Sequence, residues 1–97
     1  MIVRLGDHAF NDVVYDAVGD VLYMHKGKPV PAANTFATPE GHAVMRDDAG
    51  AIIGVTIVNA KWLAERDGCV TVTLPDSAAS NGRLETSADE LAPALAG

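Results

Sequence analysis

The most consistent pattern in the chain is residues 42–60, which read HAVMRDDAGAIIGVTIVNA. Asp47-Asp48-Ala49-Gly50 has the chemistry of a tight turn, because Asp accepts hydrogen bonds from the nearby backbone and Gly adopts the positive φ that hairpin loops need. After this turn, Ile53, Val55 and Ile57 fall on one face of an alternating strand, with the residues between them on the other. Residues 42–60 therefore predict a β-hairpin with one buried face.

Length and composition are those of a single small domain. The chain has 97 residues, of which 48% are hydrophobic, so a globular core is expected rather than disorder. The formal net charge is -6. An acidic chain repels phosphate backbones and anionic lipids, so we expect no nucleic-acid and no membrane partner, whereas a small basic protein is an acceptable one.

Cysteine content and the sequence of the N-terminus indicate a cytoplasmic protein. Cys69 is the only cysteine, so no disulfide forms within the chain, which is typical of a reducing compartment. The N-terminal residues do not have the pattern of a signal peptide. No segment approaches the roughly 20 apolar residues that a membrane-spanning helix needs.

The N-terminal half predicts further strands joined by short turns. Residues 2–5 are an edge strand or a loose end, and residues 6–11 are turn-like. Residues 13–15 begin a strand that turns at 16–20 and returns at 21–25, where Leu22 and Met24 point one way and Val21, Tyr23 and His25 the other. Prolines exclude a central strand near residue 30, although residues 32–36 can still run extended along an edge.

Two helices follow the hairpin. Asn59 is a suitable N-cap for a helix over residues 60–67, and Gly68 suits its left-handed C-cap. Residues 70–74 alternate as a half-buried strand, and residues 76–83 are small and polar, as in a mobile loop. Ser87 and Glu90 fit a capping box, in which Glu90 reaches back to the cap, and Pro93 predicts that this second helix is short or kinked.

These elements predict an α+β fold. We expect a small antiparallel β-meander sheet, one short helix after the central hairpin and a C-terminal helix. Residues 1–75 form the sheet with the short helix at 59–67. Residues 76–97 add the mobile loop and the C-terminal helix within the same domain.

The sequence contains no recognisable catalytic motif. Nucleophile-elbow, phosphate-loop and dinucleotide patterns are missing, and the histidines lack the close spacing or cysteine partners of metal sites. The acidic pairs Asp47-Asp48 and Asp16/Asp20 are explained by turns. We therefore predict no catalytic residue, no cofactor and no metal ligand.

Five residues are candidates for binding. Tyr15, Tyr23, His25 and His42 form a possible binding face if their strands are neighbours. Trp62 is expected to face inward as a core residue together with Leu63. If Trp62 is partly exposed instead, it becomes the best candidate for an interface anchor.

Two blocks of the chain resemble a known family. Residues 15–23 (YDAVGDVLY) resemble the opening of the small bacterial family known as domain of unknown function 2283, whose members start with Tyr-Asp and continue to an Asp, an apolar residue and Leu-Tyr. Its second block is similar to Glu40-Gly41, Asp48-Ala49-Gly50 and residues 53–60. The resemblance covers residues 13–63, about half of the chain.

This resemblance implies a small antiparallel sheet with a short helix and no established activity. Thr56 stands where the family usually has Glu, and Gly19 and Ala49 are small where larger polar residues are common. A role that depends on that Glu does not carry over. Some members look like neighbours of small toxin-like genes, which implies an antitoxin-like role.

Three hypotheses follow for the function. The first is a protein-interaction or oligomerising module, a homodimer or the binder of a small basic protein, in an antitoxin-like or adaptor role, because open faces and edges of small sheets are normally covered. The alternative is a small-molecule-binding protein or minor enzyme that uses the Tyr/His face. The third is a structural role without a discrete site.

Overall fold

The computed structural model describes residues 1–27, 31–74 and 82–96 and confirms the α+β class. Along the chain its elements are β1 (Val3–Leu5), β2 (His8–Phe10), β3 (Asp12–Asp16), β4 (Val21–His25), β5 (Asn34–Ala37), β6 (Ala43–Arg46), β7 (Ile52–Val58), α1 (Ala60–Asp67), β8 (Cys69–Thr73), β9 (Arg83–Ser87) and α2 (Ala88–Leu95). The predicted hairpin, the helix that follows it and the C-terminal helix are all present.

The largest sheet has five antiparallel strands in the order β3-β4-β7-β6-β5. After β4 the chain passes to the far edge and begins β5, and the meander β5-β6-β7 then returns to pair with β4. The edge strand that the sequence left open at residues 32–36 is present as β5, which begins at Asn34 and ends at Ala37. Residues 28–30, part of the connection to it, lie outside the described residues.

Two antiparallel ribbons, β1-β2 and β8-β9, complete the strands. The turn predicted over residues 6–11 is too long, because the chain reverses at Gly6-Asp7 and His8–Phe10 is already a strand. The predicted mobile loop at 76–83 falls mostly on residues 75–81, which lie outside the described residues. Arg83, its last residue, begins β9, a strand whose few apolar residues gave no alternating signal.

One face of the five-stranded sheet, the inner face, packs against the ribbons and helices. Its fully buried side chains are Leu22, Met24, Val44, Val55 and Ile57. The opposite layer contributes Val3, Leu5, Phe10, Val70, Val72, Ala60, Ala64, Leu91, Ala94 and Leu95 to the same cluster. Burying each large aliphatic side chain stabilises the fold by about 1.5–3 kcal/mol, so this cluster is the main source of stability.

The central hairpin is confirmed, with one irregularity. Asp47 Oδ1 accepts hydrogen bonds from the backbone N–H groups of Ala49 (3.0 Å) and Ala51 (2.9 Å), which fixes the turn. The register shifts after Met45, so that Arg46 pairs with Ile52 and the next residue of β7 has no partner. That unpaired residue is Ile53, which is only half-buried, whereas Val55 and Ile57 are buried as predicted.

The sequence predictions for the two helices are confirmed in part: the bounds of α1 and one capping hydrogen bond of α2 are as expected. Helix α1 spans the predicted residues and ends at Gly68, which is left-handed (φ 76°). Asn59 is the N-cap residue, as predicted, but its backbone is left-handed (φ 59°) and its side chain makes no capping hydrogen bond. At α2, Ser87 Oγ accepts from the Glu90 N–H at 3.0 Å as predicted, but the Glu90 carboxylate accepts from the Arg4 N–H at 2.9 Å.

Candidate interaction surface

The four residues of the predicted binding face are divided between two sides of the sheet. Directly opposed residues of antiparallel strands share a face, and Tyr15 is opposed to the buried Leu22. Tyr15 therefore lies on the inner side, whereas Tyr23 and His25 point to the other side, here called the outer face. His42 precedes β6 and is buried. The prediction of one common face is wrong, because Tyr15 and Tyr23 have opposite phases on neighbouring strands.

Tyr15 is bound to an acidic residue in the β3-β4 turn. Its hydroxyl donates to Asp20 Oδ1 at 2.7 Å, and this hydrogen bond, with burial, raises the pKa of Tyr15 to about 12. The same carboxylate accepts from the backbone N–H groups of Lys61 (2.8 Å) and Trp62 (3.1 Å) in the first turn of α1. Asp20 thus caps α1 from a distant turn and takes the part predicted for Asn59.

The charge of Asp20 is held in place by these donors. Burial raises the pKa of the carboxyl group, but the hydrogen bonds from Lys61, Tyr15 and Trp62 outweigh it and lower the pKa overall. The helix N-terminus also favours a negative charge there. The Tyr15–Asp20 pair therefore stabilises the junction between sheet and helix. Its hydrogen bonds join groups of the chain itself and are not directed at a ligand.

His42 is closed to solvent, with 1% of its surface exposed. Its Nδ1 accepts the N–H of Val58 at 3.1 Å, which leaves the proton of the neutral ring on Nε2. Within the described residues, Nε2 has no hydrogen-bond partner. Burial lowers the pKa of His42 more than the nearby Glu40 raises it, so the ring is neutral at physiological pH.

The loop before β6 is tied down by its polar side chains. Thr38 Oγ1 accepts from the His42 N–H at 3.1 Å, and the Glu40 carboxylate accepts from both the N–H (3.0 Å) and the hydroxyl of Thr73 on β8. These bonds join the five-stranded sheet to the β8-β9 ribbon. The arrangement around His42 is a structural junction that a ligand cannot reach without opening it.

Uncharged side chains occupy the middle of the outer face. Across three strands, Val14 is opposed to Tyr23 and Tyr23 to Thr56, and in the adjacent row Val21 is opposed to Val58. We call these five residues the outer patch. Val14 is 59%, Tyr23 40% and Val58 38% exposed. Among the described residues nothing covers this patch, so its apolar atoms face water.

The end of the outer face beside the patch is filled by two side chains that lie over a glycine. Gly54 on β7 is opposed to His25 on one side and Met45 on the other. A Cβ at Gly54 would be 2.6 Å from Met45 Cε and 2.9 Å from His25 Cδ2, so both side chains use the space above its backbone. A glycine inside a strand pattern is the sequence signal for such a close approach.

Trp62 is 53% exposed, so its predicted place in the core is wrong. Helix α1 turns its alanines inward, with Ala60 and Ala64 one turn apart on the buried face, and this directs Trp62 to solvent. The Arg66 guanidinium lies 4.3 Å from the centre of the indole ring and is paired with Asp67 at 2.9 Å. Trp62 keeps its alternative interpretation as an interface anchor, on a different element from the outer patch.

The other surface features offer little chemistry. A groove of about 360 Å³ between α1 and α2 is lined by Lys61, Ala64, Glu65, Ala88, Asp89, Ala92, Leu95 and Ala96. Burial and the neighbouring Glu85 raise the pKa of Cys69, so its thiol is protonated at neutral pH. In residues 1–27, 31–74 and 82–96, no three His, Cys, Asp or Glu side chains are grouped to hold a metal ion, and no helix is long and apolar enough to cross a membrane.

No family model, no curated protein and no solved structure matches this chain. The resemblance to domain of unknown function 2283 therefore stays a prediction. The functional argument rests on the geometry of the outer face.

Proposed function

We propose that the protein is a protein-interaction module that binds its partner through the outer patch. The observation that carries this proposal is the row Val14–Tyr23–Thr56 with Val58 beside it, which is exposed and uncharged on a sheet whose other face packs against the ribbons and helices. Contiguous exposed apolar surface on a small domain is typical of a contact site for another protein.

The free energy of burying apolar surface favours a partner protein over solvent at the outer patch. Removing apolar surface from water contributes roughly 25 cal/mol per Å², and the patch is built on paired strands that need little reorganisation on binding. Tyr23 adds a large side chain with few rotatable bonds, a residue type that is enriched at energetically important interface positions. A partner with a flat, apolar surface gains most from this site.

A small-molecule site made of tyrosines and histidines has less support. Of these four residues, only Tyr23 and His25 share the outer face, so the convergent polar groups that such a site needs are not brought together. Cytoplasmic location, an antitoxin-like or adaptor role and a small basic partner remain predictions from sequence.

The proposal is tested with a matched pair of substitutions. Val14→Asp places a charge in the outer patch, whereas Val18→Asp makes the same change at a fully exposed (100%) valine in the β3-β4 turn. Tagged forms of the wild type and both variants are expressed in the host together with an untagged copy, and the proteins that remain bound are quantified. We expect Val14→Asp alone to lose the bound protein.

Either of two results contradicts the proposal. One is that Val14→Asp retains every protein that the wild type retains. The other is that the wild type retains nothing, not even its own untagged copy. Circular dichroism of the three proteins establishes that the variants are folded.

A further inference from the structure

We infer that the partner at the outer patch is a second copy of this chain, bound face to face about a two-fold axis that runs along β7. This inference rests on the proposed function and names its partner. Three features of the outer face support it: the position of its charges, its incomplete layering and the distribution of large and small side chains.

The charges of the outer face are unsuited to a basic partner. The five patch residues are neutral, and the carboxylates that share the face, Asp12 and Asp16, are both at the ends of the edge strand β3. A basic protein attracted by the net charge of -6 would find no carboxylate in the centre of this surface. A neutral surface is matched by another neutral surface, and this chain presents one.

The layering of the molecule is complete on one side only. Domains are built from packed layers, and here the inner face of the sheet is covered by ribbons and helices while the outer face has no second layer among the described residues. Two such sheets that meet through their outer faces form a β-sandwich, in which aligned sheets pack about 10 Å apart.

Side-chain size is self-complementary along the central row of the face. Along one row the residues are Val14, Tyr23, Thr56, Ala43 and Ala37, one from each of the five strands in sheet order. Large side chains lie on the β3-β4 half and alanines on the β6-β5 half, with Thr56 between them. A two-fold axis along β7 places the large half of this row over the small half of the same row in the other copy, and in the adjacent row it sets His25 over Met45.

This axis also separates the acidic edges. It puts β3 of each copy over β5 of the other, so Asp12 and Asp16 of the two copies lie at opposite margins. An axis across the strands would bring the two β3 edges together and set carboxylate against carboxylate. The strands of aligned sheets cross at about 30°, so the match is between halves of the central row rather than between single atoms.

The size of the face sets the expected affinity. Four strand spacings of about 4.8 Å and five residues of about 3.3 Å give a surface of about 20 Å by 17 Å. Specific interfaces bury about 800 Å² on each partner, so this face, with a flat area of about 340 Å², lies below the usual range and fits only a weak, transient dimer. We therefore expect a dissociation constant in the micromolar range, and the experiment must span it.

The first test is sedimentation velocity of the purified protein from micromolar to millimolar concentration. The wild type and Val18→Asp are expected to rise from 10.1 kDa toward twice that mass, while Val14→Asp stays at 10.1 kDa. Ala43→Leu fills the small half and should weaken the dimer at least tenfold. Adding Tyr23→Ala to Ala43→Leu makes room again and should restore part of the loss.

The second test separates face-to-face packing from pairing of edge strands. Thr56 lies on β7, the middle strand, so two copies joined by their edges keep their Thr56 residues far apart. In a Cys69→Ser background, Thr56→Cys is expected to be joined to its counterpart by a short bifunctional maleimide, because the residue is on the axis and the two backbones, about 10 Å apart, are too distant for a direct disulfide. Val18→Cys in the same background is the matched control and should not be crosslinked.

The outcomes distinguish this inference from the proposed function. A purified protein that stays monomeric at millimolar concentration overturns the dimer, and if Val14→Asp still loses a partner from the host, the interaction module stands. A dimer that tolerates Val14→Asp and is not crosslinked through Thr56→Cys also overturns the inference. A concentration-dependent dimer that Val14→Asp abolishes and Thr56→Cys locks supports both.

Discussion

At the scale of single residues, Asp20 joins strand β3 to helix α1. Its carboxylate accepts from the Tyr15 hydroxyl and from two backbone N–H groups of α1, and its own carbonyl accepts from the Ala60 N–H at 3.1 Å. Its backbone is left-handed (φ 55°), a conformation that Asp and Asn tolerate better than most residues. The hydrogen bonds of this one turn residue thereby fix the N-terminus of α1 against the edge of the sheet.

Asp20→Asn is expected to lower the free energy of unfolding by about 1–2 kcal/mol, the usual cost of losing a charged cap. The amide keeps the backbone conformation but loses the charge that the helix N-terminus and Tyr15 favour. In a Tyr23→Phe background, the pKa of Tyr15 should also fall from about 12 toward 10. Urea unfolding and an absorbance titration of the phenol measure the two effects; an unchanged phenol titration would contradict the structure.

His42 predicts a pH dependence of stability. Its pKa is lowered in the folded state from 6.5, mainly by burial, so the unfolded chain binds more protons once the pH falls below about 6.5. The free energy of unfolding should therefore decrease between pH 6.5 and the onset of carboxylate protonation. Urea unfolding at a series of pH values measures this slope.

A second histidine, His8, contributes to the pH dependence of stability in the same pH range, and its effect must be separated from that of His42. Burial, followed by the charge of Lys26, also lowers the pKa of His8, which is only half-buried. We expect His42→Gln to remove the larger part of the slope and His8→Gln the smaller part. The reverse order would show that His42 is accessible to protons in the folded state.

At the scale of elements, the phase of β7 determines which substitutions the fold accepts. Ile57 is fully buried opposite Leu22, and its neighbour Thr56 points to the outer face. Ile57→Asp buries an unpaired charge at a cost of several kcal/mol, comparable with the total stability of a small domain, so we expect it to be unfolded. Thr56→Asp is the control one residue away and should melt cooperatively; circular dichroism distinguishes the two.

Local signals were sufficient for the elements that the chain encodes within a few residues. The turn after β6, the strand β7 and helix α1 with Gly68 as its end were predicted correctly, since periodicity and turn chemistry are short-range properties. Strand β9 was missed because Leu84 is its one large apolar residue. Its pairing with β8 depends on contacts that a local pattern does not contain.

The candidate site was predicted less well, for the same reason. Tyr23 and His25 share the outer face, but the register that separates Tyr15 from Tyr23 is a property of strand pairing. Trp62 was assigned to the core because large aromatic residues usually are buried, while the buried stripe of α1 is made of alanines. The outer patch needed the strand order, which brings Thr56 beside Tyr23 from a distant part of the sequence.

At the scale of the whole molecule, side-chain bonds join the layers that the core packs together. Glu40, in the loop before β6, accepts hydrogen bonds from Thr73 of the β8-β9 ribbon. Glu90 of α2 accepts one from the Arg4 N–H of β1. Because one hydrophobic cluster contains residues of all three sheets and both helices, the domain should unfold in a single transition.

Glu40→Gln tests that cooperativity. Burial raises the pKa of Glu40, but hydrogen bonds from Thr73 and Thr38 lower it overall, so the ionised carboxylate is the stabilising form. Because Glu40 is exposed and its charge is screened by solvent, we expect a loss of about 0.5–1 kcal/mol with one transition retained, against almost none for the exposed Glu65→Gln on α1. Calorimetry that resolves two transitions in Glu40→Gln would show that the ribbon and the sheet are separate units.

The passage of the chain from β4 to the far edge of the sheet has a consequence for the speed of folding. The hairpins β3-β4 and β6-β7 join residues close in sequence and form in microseconds, but the seam between β4 and β7 pairs Val21 with Val58 and must close a long loop first. Docking of two preformed hairpins is then the slow step. Until it is complete, Val55 and Ile57 are exposed on an open strand, so the newly made chain is most vulnerable to aggregation at this stage.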